Sequence, residues 1–188
     1  MRIVAGSMRG LKLEGGDDRT IRPTADRTRE GLFNVLAHNG EFRSDHGPCP
    51  AGLAVLDLFA GSGALGLEAL SRGAASVSFI EKAESSLKVL QHNLGKARAA
   101  DRTRIIRRDA LKPGRAPLAH DLVLMDPPYG QDLAAPALLA VARDGWLAAG
   151  AIVVVETDGT DPFDWPEGFT ALDRRKHGRA TLHFGQAT

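Results

Sequence analysis

Short apolar runs alternate with segments of helical period along most of this chain. Val55-Leu56-Asp57-Leu58-Phe59 is apolar around one acid; glycines at 61, 63 and 66 interrupt it, and Leu65-Gly66-Leu67-Glu68-Ala69-Leu70 resumes with a helical repeat. That order predicts strand, tight turn and helix. The exchange then recurs, with strands expected at 76–81, 103–107, 121–125 and 151–156 and helices at 83–99 and 133–143. Helices between strands mean parallel pairing. Leu122-Val123-Leu124-Met125, apolar throughout, suits a central strand covered on both faces. Near the end, 169–172 and 180–184 are strand-like and flank Arg174-Arg175-Lys176-His177-Gly178-Arg179, which has the length of a hairpin loop, so the sheet is expected to close with an antiparallel edge.

Ahead of the first core strand the pattern differs. Residues 1–14 suggest a basic β-hairpin around the Ser7-Met8-Arg9-Gly10 turn, lying outside the main unit, and 15–18 a turn. Arg22-Pro23-Thr24-Ala25-Asp26-Arg27-Thr28-Arg29-Glu30 leads into a helix whose apolar face is Leu32, Phe33, Val35 and Leu36, with Thr24 as a possible N-cap. Residues 41–52 shift to Gly, Pro, Ser, Asp and His, as a connector does. The chain therefore divides into an extension at 1–45 and a main domain at 46–188.

With 188 residues and 43% hydrophobic composition, the chain has enough apolar material for one domain with a real core. A formal net charge of +1 means that any phosphate-bearing partner must be held by local clusters of charge. The single cysteine, Cys49, excludes an internal disulfide and suits a reducing compartment. In Pro48-Cys49-Pro50 it lies far from the other reactive groups and reads as a loop residue, although a Pro-Cys pair can mark the nucleophile of enzymes that methylate pyrimidine carbon. There is no signal-peptide pattern and no apolar stretch of membrane-spanning length, so a cytoplasmic protein is expected. The histidines show no paired metal spacing, and no metal is expected.

Gly61-Ser62-Gly63-Ala64-Leu65-Gly66 matches the G-x-G-x-x-G spacing, which suits a nicotinamide or an adenosyl cofactor alike: glycine lets the backbone approach a ligand, and the following helix points free N–H groups at it. Ligands of open α/β sheets lie across the carboxyl ends of the strands. Glu81, ending a strand there, can accept from two ribose hydroxyls; Asp109, after the next strand, can accept from an adenine amine; Asp57 can meet the cationic or hydrogen-bonding part of the ligand. Asp126-Pro127-Pro128-Tyr129 ends the fourth strand. Its prolines remove two backbone donors and leave carbonyls that only accept. A carboxylate, acceptor carbonyls and an aromatic face make a pocket for a planar ring carrying an amine, which suits methylation of adenine N6, cytosine N4 or guanine N2.

These motifs resemble, in order, those of class I methyltransferases that use S-adenosylmethionine. More narrowly, residues 22–34 together with 57–72 resemble the RsmD family, bacterial enzymes that methylate the exocyclic amine of one guanine in 16S ribosomal RNA. The resemblance implies a Rossmann-like α/β fold with a seven-stranded, mostly parallel sheet, an antiparallel last strand, and an N-terminal β-hairpin and helix. It implies S-adenosylmethionine held by Thr24, Arg27, Asp57, Phe59, Ala60, Gly61, Gly63, Glu81, Lys82, Asp109, Ala110 and Asp126, with Thr24 and Arg27 near its carboxylate. Catalysis is assigned to Asp126, Pro127, Pro128 and Tyr129. RNA docking is assigned to Arg2, Arg9, Lys12, Arg22, Arg29, Arg174, Arg175, Lys176 and Arg179. The expected partner is 16S ribosomal RNA within an assembling small subunit, met by a monomer without membrane attachment.

Two other classes compete. The glycine spacing and Glu81 permit an NAD(P)-dependent oxidoreductase, but little chain remains for a substrate domain and no His or Tyr-Lys pair is placed for proton transfer. Arg102, Arg104, Arg107, Arg108, Lys112 and Arg115 permit a non-catalytic RNA-binding module, which would not need both the glycine turn and Asp-Pro-Pro-Tyr.

Overall fold

In the computed structural model, β1 (Ala54–Leu58) and β4 (His120–Met125) form the middle of a seven-stranded sheet of order β3-β2-β1-β4-β5-β7-β6. The structure describes residues 1–15, 23–42, 46–159 and 162–188, with the side chains of 23–25 left aside. The remaining strands are β2 (Ser76–Glu81), β3 (Thr103–Arg107), β5 (Leu147–Asp158), β6 (Phe169–His177) and β7 (Ala180–Ala187), and the helices are α1 (Pro23–His38), α2 (Ala64–Ser71), α3 (Glu84–Ala97) and α4 (Ala134–Arg143).

Successive strand side chains point to opposite faces, so each central strand feeds two cores. Val55, Leu122, Leu124 and Val154 pack with Leu32, Phe33 and Leu36 of α1, Leu67 and Leu70 of α2, and Leu90 and Leu94 of α3. Leu56, Leu58, Val123, Met125 and Val153 pack on the other face with Leu138 and Val141 of α4 and with Trp146. β1 pairs in parallel with β2 and β4, on either side of the point where the strand order reverses. The carboxyl ends meeting there make the crevice in which ligands of this architecture bind.

The antiparallel last strand is present but internal: β7 pairs antiparallel with both β5 and β6, and β6 is the sheet edge. The proposed loop at 174–179 is a correction, because β6 carries Arg174, Arg175 and Lys176 in register with His183, Leu182 and Thr181. Only Gly178 and Arg179 form the turn. An edge strand gains its hydrogen bonds from one neighbour and tolerates charged side chains, so its composition looks like that of a loop.

The N-terminal segment is a loose hairpin with one bridge, Arg2 to Lys12, and with Ile3 and Leu11 hydrogen-bonded at 3.0 Å. It does not stand outside the main unit. Ile3 and Leu13 are buried in the same core as α1 and α2. Glu68 of α2 accepts from the Val4 and Ala5 amides at 2.8 and 3.0 Å, and the Ser71 hydroxyl accepts from the Met8 amide at 2.9 Å. Gly6 sits so near this helix that a Cβ there would lie 1.8 Å from the Ser71 carbonyl oxygen. Asn93 of α3 completes the attachment, bonding the Glu14 backbone through both ends of its amide and the Ser62 carbonyl of the glycine turn at 2.9 Å. The turn expected at 15–18 lies largely outside the described residues.

Candidate cofactor cleft and amine site

The glycine turn is held from behind by two acids. Asp57 is buried and accepts from the Gly66 amide at 2.8 Å, fixing the start of α2 against β1. Burial, with a smaller contribution from the Glu81 charge, pushes its carboxyl up to about 8, against the opposing pull of the Gly66 N–H. Glu81 at the end of β2 accepts from Gly61 N–H at 2.8 Å through one oxygen and from Lys82 and Ala83 N–H at 2.8 and 2.7 Å through the other. Oε2, with one such bond, has a second acceptor direction left, so Glu81 can still take a hydroxyl donor. Phe59 and Gly61, at φ 58° and 53°, turn the chain sharply over β1.

The resulting cleft has a volume of about 830 Å³, and Phe59, Gly61, Ile80, Glu81, Lys82, Asp109, Ala110 and Asp126 are in its wall. Lys82 and Asp109 close one side through an ion pair at 2.9 Å. The Leu111 amide, followed by Lys82, holds the Asp109 carboxyl below the usual carboxylate range. Acceptors at Glu81 and Asp109 flank an apolar floor of Ile80 and Ala110, an arrangement matched to the donors of a ribose and a flat amine-bearing ring. A nucleoside such as that of S-adenosylmethionine fits this wall.

Asp126 lies just past β4, where the cleft meets a smaller cavity of about 180 Å³ lined by Met1, Arg29, Asp57, Phe59, Gly61 and Glu156 among others. Asp126 is exposed on its pocket side and enclosed by protein elsewhere. That enclosure, and the nearby charges of Glu156 and Asp57, raise its carboxyl well above the usual range. Tyr129 is 48% exposed at the rim and its hydroxyl donates to Glu156 Oε1 at 3.2 Å. Pro127 and Pro128 stand between the cleft and a third cavity, on the far side of the loop.

The structure brings several of the expected residues together and places others apart from them. Phe59, Ala60, Gly61, Glu81, Lys82, Asp109, Ala110 and Asp126 line the cleft or the adjoining cavity. Gly63, expected at the ligand, instead packs behind the turn, where a Cβ would meet Leu90 at 2.4 Å. Arg27 is exposed and is absent from the walls of both cavities. The Thr24 side chain and Arg22 lie outside the described residues. Arg29, assigned to RNA, is buried: its guanidinium donates to the Arg2 carbonyl at 2.6 Å and to Asp26 at 2.8 Å, and its Nε faces Glu68 at 3.5 Å without a hydrogen bond. It is Arg29, and not Arg27, that lines the cavity beside the turn, because its place on the helix faces α2. Arg2, Arg9, Lys12, Arg174, Arg175, Lys176 and Arg179 are exposed. Cys49 is buried, and burial pushes its thiol up to about 12, so it is unreactive. Glu156 and Glu68 carried no motif; Glu156 could have been found as the acid ending the strand expected at 151–156.

Over residues 1–186 the chain matches the family model described as Conserved hypothetical protein 95. It is 35% identical over 185 residues to ribosomal RNA small subunit methyltransferase D of Haemophilus influenzae, covering 95% of this chain and 89% of that one. The Escherichia coli protein of the same name is 37% identical over 171 residues, covering 88% and 81%. Among solved structures, the Escherichia coli protein yhhF superposes with a TM-score of 0.81 at 33% identity, covering 100% of this chain and 97% of that one. A Haemophilus influenzae structure superposes at 0.77 with 32% identity, covering 100% and 98%. The glycine turn, the strand-end acids and Asp126-Pro127-Pro128-Tyr129 thus stand in a chain that belongs to the RsmD family.

Proposed function

We propose that this protein transfers a methyl group from S-adenosylmethionine to the exocyclic N2 amine of a guanine in 16S ribosomal RNA, during assembly of the small subunit. The observation that carries the reading is the position of Asp126-Pro127-Pro128-Tyr129, whose residues line the cleft on one side and a further cavity on the other. The names of the relatives add the small-subunit RNA. Glu81 would hold the ribose, Asp109 and Lys82 the adenine side, and Arg29, lining the smaller cavity, is the cation available to a carboxylate there. When bound, the sulfonium supplies an electrophilic methyl group and leaves as a neutral thioether.

The chain's own contribution is placement and charge. An exocyclic amine delocalises its lone pair into the ring and is a poor nucleophile. Asp126 and the carbonyls of the prolines accept its two protons and so turn the lone pair toward the cleft, while Tyr129 holds the flipped base by stacking. Positive charge developing on the amine nitrogen would lie beside Asp126, where it would favour the ionised carboxyl and be stabilised by it. One amine proton then leaves, to Asp126 or to water, giving a neutral methylamine.

Single-turnover methylation of the ribosomal RNA, with mass spectrometry of the product nucleosides, tests this. The parent protein should yield N2-methylguanosine. Asp126→Asn keeps the shape but removes the charge, so the rate should fall by at least about 10²-fold, the scale of one such electrostatic contact, with cofactor affinity nearly unchanged by calorimetry. A variant working at the parent rate removes Asp126 from the mechanism, and a methylated adenine or cytosine replaces guanine as the target.

A further inference from the structure

The third cavity lies on the far side of the Asp126-Pro127-Pro128-Tyr129 loop, with a volume of about 300 Å³. Its described wall holds three carboxylates, Asp132, Glu156 and Asp164, and no Lys, Arg or His. It therefore suits a neutral group rich in hydrogen-bond donors and disfavours phosphate. Tyr129 and Phe163 give it aromatic walls. Phe163 is fixed edge-on by Trp165 at 5.0 Å and by His183 at 4.9 Å between ring centroids, so that wall is rigid.

Glu156 stands where this cavity meets the one beside the glycine turn, lining both. The sheet puts it there: β4 and β5 pair in parallel with Met125 opposite Val155, so the next residues, Asp126 just past β4 and Glu156 within β5, are neighbours. The Tyr129 hydroxyl holds Glu156 Oε1, and Oε2 has no hydrogen bond among the described residues. Two acceptors side by side match a purine edge with two adjacent donors. Guanine has such an edge, with N1–H next to its N2 amine. Adenine and cytosine have an amine beside a bare ring nitrogen, which would face a carboxylate acceptor to acceptor.

We infer that this cavity receives the flipped guanine and that Glu156 selects it by accepting N1–H while Asp126 holds the N2 amine. The inference rests on the reading of the chain as a guanine-N2 methyltransferase. Glu156 acts as a specificity determinant, positioned by Tyr129.

The test uses substrate RNA carrying either guanine or 2-aminopurine at the methylated position. 2-Aminopurine keeps the amine to be methylated and lacks N1–H. With saturating S-adenosylmethionine, the parent protein should methylate guanine about 10–100-fold faster per single turnover, the scale of a hydrogen bond to a charged group. In Glu156→Gln the ratio should fall to about threefold or less, because a carboxamide can accept from guanine N1–H or donate to the bare N1 of the analogue. Cofactor affinity, read by calorimetry, should be retained, which separates lost selectivity from lost folding. If the parent methylates guanine but uses 2-aminopurine equally well, or if Glu156→Gln keeps the full preference, the role of Glu156 is wrong while the proposed activity stands. If the parent does not methylate guanine at all, the activity and this inference fail together.

Discussion

Asp57 is a buried carboxyl whose only direct hydrogen bond among the described residues is to the Gly66 amide, and its pKa of about 8 ties protonation to stability. In the unfolded chain the same group titrates near about 4. Between those values the folded protein binds the extra proton, so its stability falls as pH rises from about 4 to about 8. Asp57→Asn retains an oxygen for Gly66 and removes the titration. The urea midpoint of the ligand-free protein should therefore change less between pH 5 and pH 8 in the variant than in the parent. Glu156, also raised, contributes to both proteins, and losing the Asp57 charge relaxes the raised Asp126, which changes the pH difference in the same direction. An unchanged pH difference in Asp57→Asn would mean that the proton is held elsewhere.

At the scale of elements, α2 acts as the post to which the N-terminal segment is fastened. Glu68 is fully buried and receives the Val4 and Ala5 amides, Arg72 at 2.8 Å and the flank of Arg29. Glu68→Ala leaves the partly buried Arg72 without its carboxylate, the buried Arg29 Nε without the charge it faces and two amides unsatisfied, and should cost about 3–5 kcal/mol in urea unfolding, as does removing one partner of a buried pair. A loss within about 0.5 kcal/mol would show that the segment is held by its other contacts, with Ser71 and Asn93 and through Ile3 and Leu13. This attachment was not legible in the sequence, because its partners lie 63 and 64 residues apart and nothing local marks them. The strands of the central sheet were legible, since uniformly apolar runs have one use in an α/β fold. β6 was not: Arg174-Arg175-Lys176 is exposed on an edge strand, where hydrogen bonding with β7 decides the structure and apolar alternation has little to report. The cofactor side of the site followed from strand-end position, whereas Glu156 needed the β4–β5 register to bring it beside Asp126.

For the whole molecule, a net charge of +1 gives no general attraction to RNA, so docking must come from where the cations sit. α1 connects the two basic regions. Its Arg29 bonds the Arg2 carbonyl, and its Gly31 faces the His177 ring of β6 so closely that a Cβ would lie 2.3 Å away. Arg2, Arg9 and Lys12 thus share this side of the molecule with Arg175 of β6, which lines a cavity with Asn34 and His38 of α1, whereas Arg174 and Lys176 alternate onto the opposite face of the sheet. Arg175 is already paired with Asp173 at 2.9 Å, so the cations to substitute first are Arg2, Arg9 and Lys12. Each cation that neutralises a phosphate should contribute about 0.7–0.9 to the slope of log affinity against log salt. Replacing these three with Ser should flatten the slope by about 2 and weaken binding at low salt much more than at high salt. Catalysis on bound RNA should change little, because none of the three lines the cleft or the cavities around Asp126. Binding titrations at several salt concentrations, run beside single-turnover rates at saturating protein, measure both quantities. An unchanged slope would place the RNA on a different face, with the β3 edge, where Arg102, Arg104 and Arg107 are exposed, next to be tested.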